Sequence, residues 1–236
     1  MNKKILRKIC AALLASVLMV MMALPVYADN INYTTIRAKG HTYYLSIEFN
    51  QKFKMRARLY EKVSSKKKVV AATGFAEDNR LEYLGFYGNK LYFSHQYNRR
   101  LRTYSYTIGK SGFKLESGSL YLEAIRGKYG YGYRQVPDDN SPRKLYVYNL
   151  TTKKAVYIGL GYFSDIKYIN GKVYYVRYSN RCKTAYIMRC NPNGTGKKIL
   201  KVLKNKYPMY SFTIEKNRAS YYLDIRDRYY EKSVRY

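Results

Sequence analysis

The chain has 236 residues, with 45 lysines and arginines against 15 aspartates and glutamates, a formal charge of +30, and 31 tyrosines but no tryptophan. That length supports one domain with a sizeable core behind a leader. The charge exceeds what solubility asks for and points to polyanionic surroundings without choosing among them, while the missing tryptophan argues against a sugar-stacking platform.

The first residues read as a leader. Lys3, Lys4, Arg7 and Lys8 precede an apolar run from Ile9 to Leu24, and Pro25-Val26-Tyr27-Ala28 ends it with small residues where a signal peptidase reads. This pattern predicts a secretory signal over 1–28, cleaved after Ala28, and a β domain over 29–236. The run is near the lower limit for spanning a bilayer, so an uncleaved anchor is the weaker reading. Cys10 sits inside the apolar run and does not read as a lipid-attachment cysteine. The expected location is outside the cell or at its envelope.

Beyond the leader, short β-type runs separated by turn residues continue to the end. The first group is NYTTIRA, TYYLSIEF, MRARLYEKV and VVAAT; the second is LEYLGFY, LYFSHQY, LRTYSYTI and FKLES; the third is LYLEAIR, YGYGYRQV, KLYVYNL and AVYIGL. The fourth, FSDIKYI, VYYVRYS, KTAYIMRC and KKILKV, is the clearest, with NGK, NRC and NPNGTG as its turns. The fifth has SFTIEK, ASYYLDIR and YYEKSVRY, with no fourth run. Each group holds a Gly or Asn turn before an aromatic pair or near-pair, at Gly40, Gly88, Gly127, Gly171 and Asn217. A repeat of roughly 40 to 50 residues built from four short strands is the signature of a propeller blade. The predicted fold is therefore all-β: a small β-propeller of about five four-stranded antiparallel blades, the last incomplete. In VYYVRY, Val173 and Tyr175 point one way and Tyr174 and Val176 the other, as a strand sandwiched between neighbouring blades requires. Most tyrosines then serve blade-to-blade packing. The incomplete blade leaves an open edge that invites strand pairing with another chain, unless the blade is simply short or residues Asn30 to Thr35 supply a strand there.

The runs Tyr168-Ile169-Asn170-Gly171-Lys172-Val173-Tyr174-Tyr175 and Asn191-Pro192-Asn193-Gly194-Thr195-Gly196-Lys197-Lys198 resemble the second-strand entry and the third-to-fourth-strand turn of secreted tandem-repeat propellers of Gram-positive bacteria, relatives of the TolB-like and YWTD-type propellers. The YWTD motif itself is absent, and the chain is short for six blades. The resemblance implies a binding or scaffolding role outside the cell and names no ligand.

A propeller sorts the cations by face. Lys39, Lys90, Lys128, Lys172 and Lys216 sit in or beside the turns between first and second strands, and Lys66, Lys67, Lys68, Lys110, Lys153, Lys154, Lys197 and Lys198 sit around those between third and fourth. Turns between second and third strands carry Arg99, Arg100, Arg102, Arg143 and Arg181, with Lys52 and Lys144. Arginine grips carboxylate or phosphate bidentately, so the arginine face is the expected site of specific recognition. The expected partner is an anionic cell-wall polymer or acidic polysaccharide, with an acidic membrane surface behind it. Nucleic acid is a weaker candidate because no recognition motif is present.

Other chemistry is sparse, and no cofactor or metal is expected. His41 and His95 stand alone, and no nucleophile elbow or phosphate loop is present. Cys182 and Cys190 read as the two ends of one strand, about 26 Å apart against the about 5.5 Å a disulfide needs, so free thiols are expected. Glu82 and Asp165 occupy equivalent places on the first strands of two blades, with Glu123 offset by two. Facing carboxylates at a channel mouth would suit a glycoside hydrolase, the alternative to non-enzymatic binding. Surrounding cations would keep such carboxylates ionised and work against a general acid.

Overall fold

Each tyrosine-rich repeat folds into one antiparallel meander. A computed structural model describes residues 33–98, 100–134, 142–162, 165–179 and 181–236; the expected leader and its cleavage site lie outside them. Blade 1 is β1 (Thr34–Ala38), β2 (His41–Phe49), β3 (Met55–Val63) and β4 (Lys66–Ala72). Blade 2 is β5 (Asn79–Tyr87), β6 (Lys90–Tyr97), β7 (Arg100–Thr107) and β8 (Lys114–Ser117). Blade 3 is β9 (Tyr121–Arg126), β10 (Tyr129–Tyr133), β11 (Arg143–Asn149) and β12 (Ala155–Gly161). Blade 4 is β13 (Lys167–Ile169), β14 (Lys172–Ser179), β15 (Thr184–Cys190) and β16 (Lys198–Lys204). Blade 5 has three strands, β17 (Met209–Ile214), β18 (Arg218–Ile225) and β19 (Arg228–Arg235). The fold is the expected all-β propeller of five blades with the last one short of a strand.

Successive blades pack face to face through four apolar clusters. Tyr43, Leu59, Leu91 and Tyr106 join blades 1 and 2; Tyr92, Leu122, Tyr146 and Tyr148 join blades 2 and 3. Tyr131, Val147, Val173 and Tyr175 join blades 3 and 4, and Tyr174, Val176, Tyr178, Met209 and Phe212 join blades 4 and 5. The two-sided apolar pattern of VYYVRY is thereby explained, since Val173 and Tyr175 face one neighbour and Tyr174 and Val176 the other. In β10, written YGYGY, the glycines lie against β9: a Cβ at Gly132 would overlap the Tyr121 carbonyl, and one at Gly130 would crowd Leu122. The alternating tyrosines fill the opposite side, where Tyr131 and Tyr133 belong to the cluster shared with blade 4.

The terminal blades differ from the middle ones. In β18 Ala219 and Leu223 are buried against blade 4, whereas Tyr222, on the other face, is 41% exposed. On blade 1 the face turned away from blade 2 is polar, with Glu48 accepting from Tyr60 Oη at 2.6 Å and pairing with Arg56 and Arg58. Among the described residues no apolar cluster joins blade 5 to blade 1.

Three sequence expectations need correction. Thr34 and Thr35 do not complete blade 5: they pair with Leu45 and Tyr44 in blade 1, where Ile36 and Ala38 of the same strand are buried in the core. Residues 30–32 lie outside the described set. Arg100, Arg102, Arg143 and Lys144 are not turn residues but lie in strands, the first two in β7 and the others at the start of β11, whereas Lys66, Lys67 and Lys68 sit beside their turn as the first three residues of β4, where Ser64 takes a φ of 55°. Cys182 is not in a strand; it precedes β15 at a φ of 63°. The thiols are free and sit in different clusters, Cys182 between blades 4 and 5 and Cys190 between blades 3 and 4. In every four-stranded sheet the pairing of third and fourth strands contains one register shift, at Leu59/Tyr60, Thr103/Tyr104, Leu145/Tyr146 and Ile187/Met188.

Candidate functional site

Asp165 is fully buried just before β13. The Tyr178 hydroxyl donates to its Oδ2 at 2.6 Å and the Phe212 amide to its Oδ1 at 3.0 Å, tying blade 4 to the backbone of blade 5. Burial first, then the Asp165 charge, push the Tyr178 hydroxyl above the usual tyrosine range, so it remains a donor. Both carboxylate oxygens accept donors from the two blades, so the acid works as a pin between them.

Glu82 is exposed on β5 and finds its acidic neighbour in Glu123 of β9. Burial pushes the Glu123 carboxyl up, a hydrogen bond from Tyr133 and the charge of Arg143 draw it down, and Glu82 raises it again. Arg143 lies over the Tyr133 ring at 4.2 Å, and Tyr121 packs on Tyr133 with ring centroids 5.5 Å apart. Arg143 is thus engaged with an inner acidic–aromatic group between blades 2 and 3. The offset of Glu123 from the Glu82 position was the sequence signal for this group.

The other cations divide into pinned and free. Glu116 of β8, with a side chain only 4% exposed, pairs with Lys90 at 3.3 Å and with Lys153 from the third-to-fourth-strand turn of blade 3. Burial, then the charges of Lys90 and Lys114, lower the Lys153 ammonium below its ordinary value. Lys67 lies over the rings of Tyr33 and Tyr44, at 4.1 and 4.6 Å, and Lys197 donates to the Tyr157 carbonyl at 2.8 Å. Lys66, Lys68, Lys154 and Lys198 are exposed and make no ion pair or hydrogen bond among the described residues. At the opposite end of the blades Arg100 and Arg181 are exposed and Arg102 is half-buried beside His95; Arg99 lies outside the described residues.

His95 itself is buried and donates through Nε2 to Asn79 Oδ1 at 2.7 Å, while Asn79 Nδ2 donates to Thr73 Oγ1 at 2.8 Å and to the Gly74 carbonyl at 2.5 Å. Burial and the nearby Arg102 pull its imidazole down to about 4, so it is neutral in ordinary conditions. Between blades 3 and 4 the corresponding ties are hydroxyls, Tyr175 to the Ile158 carbonyl at 3.0 Å and Tyr131 to the Pro192 carbonyl at 3.1 Å. Every neighbouring pair of blades therefore shares at least one buried or part-buried polar tie beside its apolar cluster. Sequence reading did not find these ties, because each partner lies in a different strand or turn.

Five tyrosine-rich meanders, packed in chain order through apolar faces and polar ties, define a small β-propeller. No protein-family model and no curated protein matches the sequence. Similar solved structures include an oligogalacturonate lyase in complex with manganese, 8% identical, with 79% of this chain and 57% of that chain covered and a TM-score of 0.46. Others are the acylaminoacyl peptidase of Pyrococcus horikoshii (12% identical, 82% and 35% covered, TM-score 0.41) and the β-propeller domain of the trilobed protease from Pyrococcus furiosus (12%, 89% and 96%, TM-score 0.36). The chain thus spans 57% of the lyase and 35% of the peptidase. Likeness at this level carries nothing about activity, and the propeller class rests on the sheets themselves.

Proposed function

We propose that this chain is an exported, non-enzymatic propeller that binds anionic polymer, an acidic polysaccharide or wall polymer, through the free cations at the ends of its blades. The observation that carries the reading is the set Lys66, Lys68, Lys154 and Lys198: exposed, without carboxylate partners, and spread over three blades at one end of the sheets. Lysines on outer strands also guard sheet edges, which accounts for part of this placement. Edge protection does not require the further exposed cations Lys39, Lys110 and Lys128 in turns at the same end, nor Arg100 and Arg181 at the other. A flexible polyanion that lays one charge after another across such an end gains from every unpaired lysine, and long-range attraction speeds its capture.

The test is titration with polyglutamate and with a sulfated polysaccharide at several salt concentrations, comparing the parent with K66Q/K68Q/K154Q/K198Q. The reading expects saturable binding at 0.15 M salt, where charges more than about 8 Å apart are screened, and a weaker, less salt-dependent isotherm for the variant. Identical isotherms, or no saturable binding at that salt, would reject it. Replacing the pinned Lys153 belongs to a stability experiment instead.

A further inference from the structure

The most exposed large apolar side chain among the described residues is Phe53, at 84%, in the second-to-third-strand turn of blade 1. Its backbone has a φ of 55°, a left-handed conformation that a phenylalanine adopts only at a cost. The turn is built to hold it there. Asn50 Oδ1 accepts from the amides of Lys52 at 2.9 Å and Lys54 at 3.0 Å, the Asn50 amide donates to the Lys54 carbonyl at 3.0 Å, and the Phe53 amide donates to the Asn50 carbonyl at 2.9 Å. Phe49, at the end of β2, is 63% exposed, and Phe75 in the loop after β4 is 37% exposed. Lys52 and Lys54 flank the tip, are exposed, and make no ion pair among the described residues. Lys54 shares a shallow pocket with Phe75, Glu77 and Asp78; Asp78 is occupied by Gln96 Nε2 at 2.5 Å and Arg80 at 3.5 Å, and Glu77 makes no ion pair with Lys54.

We propose that the Asn50–Lys54 turn is a membrane-docking finger, in which Phe53, backed by Phe49, enters the boundary between headgroups and acyl chains of an anionic bilayer while Lys52 and Lys54 rest among the phosphates. A rigid convex tip carrying one aromatic ring between two cations matches an interface that is apolar below and negative above. A soluble polyanion offers nothing for the ring, and a protein partner would need a pocket shaped to a single protruding side chain. Lys52 belongs to the arginine-bearing end of the blades, but the finger uses none of Lys66, Lys68, Lys154 and Lys198, on which the polymer reading and its test rest, so the two readings fail separately.

The chain has no tryptophan, so F53W places a unique fluorophore at the tip. V63W serves as the control at the opposite end of the same blade, where Val63 is 51% exposed. The full chain is mixed with vesicles of phosphatidylglycerol and phosphatidylcholine, with phosphatidylcholine alone, and with vesicles carrying brominated acyl chains. The probe reports on residue 53 whatever the leader does. F53W should shift to the blue and be quenched by bromine with anionic vesicles, and V63W should do neither. In K52Q/F53W/K54Q the vesicle concentration at half-change should rise roughly 30-fold, since each lysine near an anionic surface is worth about a factor of five. An unshifted F53W, an equal shift in V63W, an equal response to phosphatidylcholine alone, or the same shift produced by polyglutamate would each overturn the proposal. Near- and far-ultraviolet circular dichroism confirms that each variant is folded.

Discussion

If Asp165 pins blade 4 to blade 5, its removal should be among the costliest single changes in the chain. Asp165→Ala deprives the Tyr178 hydroxyl and the Phe212 amide of their acceptor in a fully buried setting. Two hydrogen bonds to a charged acceptor are worth roughly 1.5–3 kcal/mol each, so the loss should be at least about 3 kcal/mol. That is a large share of the roughly 5–15 kcal/mol available to a domain. Asp165→Asn keeps a carbonyl for one donor and should cost about 2 kcal/mol. Urea unfolding of both variants reads the totals, and hydrogen exchange at the Phe212 amide reads the pin directly. Asp227→Asn, in the exposed turn between β18 and β19, is the control and should stay within about 0.5 kcal/mol. If Asp165→Asn also stays within about 0.5 kcal/mol of the parent with Phe212 exchange unchanged, the pin is not structural and the case for a chemical role reopens.

Other tests follow the same logic. His95 has a folded-state value of about 4 against the ordinary 6.5, so its stability contribution is full above pH 6.5 and is lost as pH falls toward 4; that amounts to about 3 kcal/mol, and urea midpoints between pH 4 and 7 should lose this slope in His95→Gln. Glu123 is shifted the other way. Its contribution is full below the unfolded glutamate value and lost as pH rises through the folded one, so Glu123→Gln should raise the melting temperature relative to the parent at pH 7 more than at pH 4. Glu116→Ala takes the counter-charge from Lys90 and Lys153, whose ammonium groups reach solvent, and should cost about 1–2 kcal/mol in urea, whereas Lys154→Ala, one residue further on and exposed, should be nearly silent. Gly132→Ala should lower stability by about 1–3 kcal/mol or more, read by thermal melting, because the added methyl meets the Tyr121 carbonyl of the adjacent strand.

The blades were legible in the sequence because a strand between two sheets must be apolar on both faces, and VYYVRY and LYFSHQY carry that signature in a few residues. Turn glycines and asparagines supplied the punctuation. The last blade's missing strand was legible too, and so was the place of NYTTIRA as the first strand of blade 1. The competing role for that run, completing blade 5, fails because Ile36 and Ala38 fill the core of blade 1, which only packing decides. The candidate site was less legible for a related reason. Nothing in KKKVV or in TTKKAV distinguishes a free lysine from a pinned one. Lys67 is drawn onto two rings and Lys153 onto Glu116 by partners elsewhere in the chain, while Lys66, Lys68 and Lys154 beside them remain in solvent. Asp165 and Glu82 hold equivalent places in the repeat, yet one is enclosed by Tyr178 and Phe212 and the other lies open, because the residues around an inner strand come from the next blade.

The register shift shared by the outermost pair of strands in blades 1 to 4 bears on how crowded molecules of this kind behave. An extra residue on one side of a ladder bends and twists the strand that carries it, so the outer rim of each vane is not a straight row of free amides and carbonyls. A neighbouring molecule seeking to continue the sheet meets a kinked border studded with lysines, and its own border is kinked the same way. Concentrated solutions should therefore stay free of fibres despite four uncovered rims. Among the described residues β19 pairs on one side only and carries no such kink in its pairing with β18, which leaves it the one border where an added strand could run true.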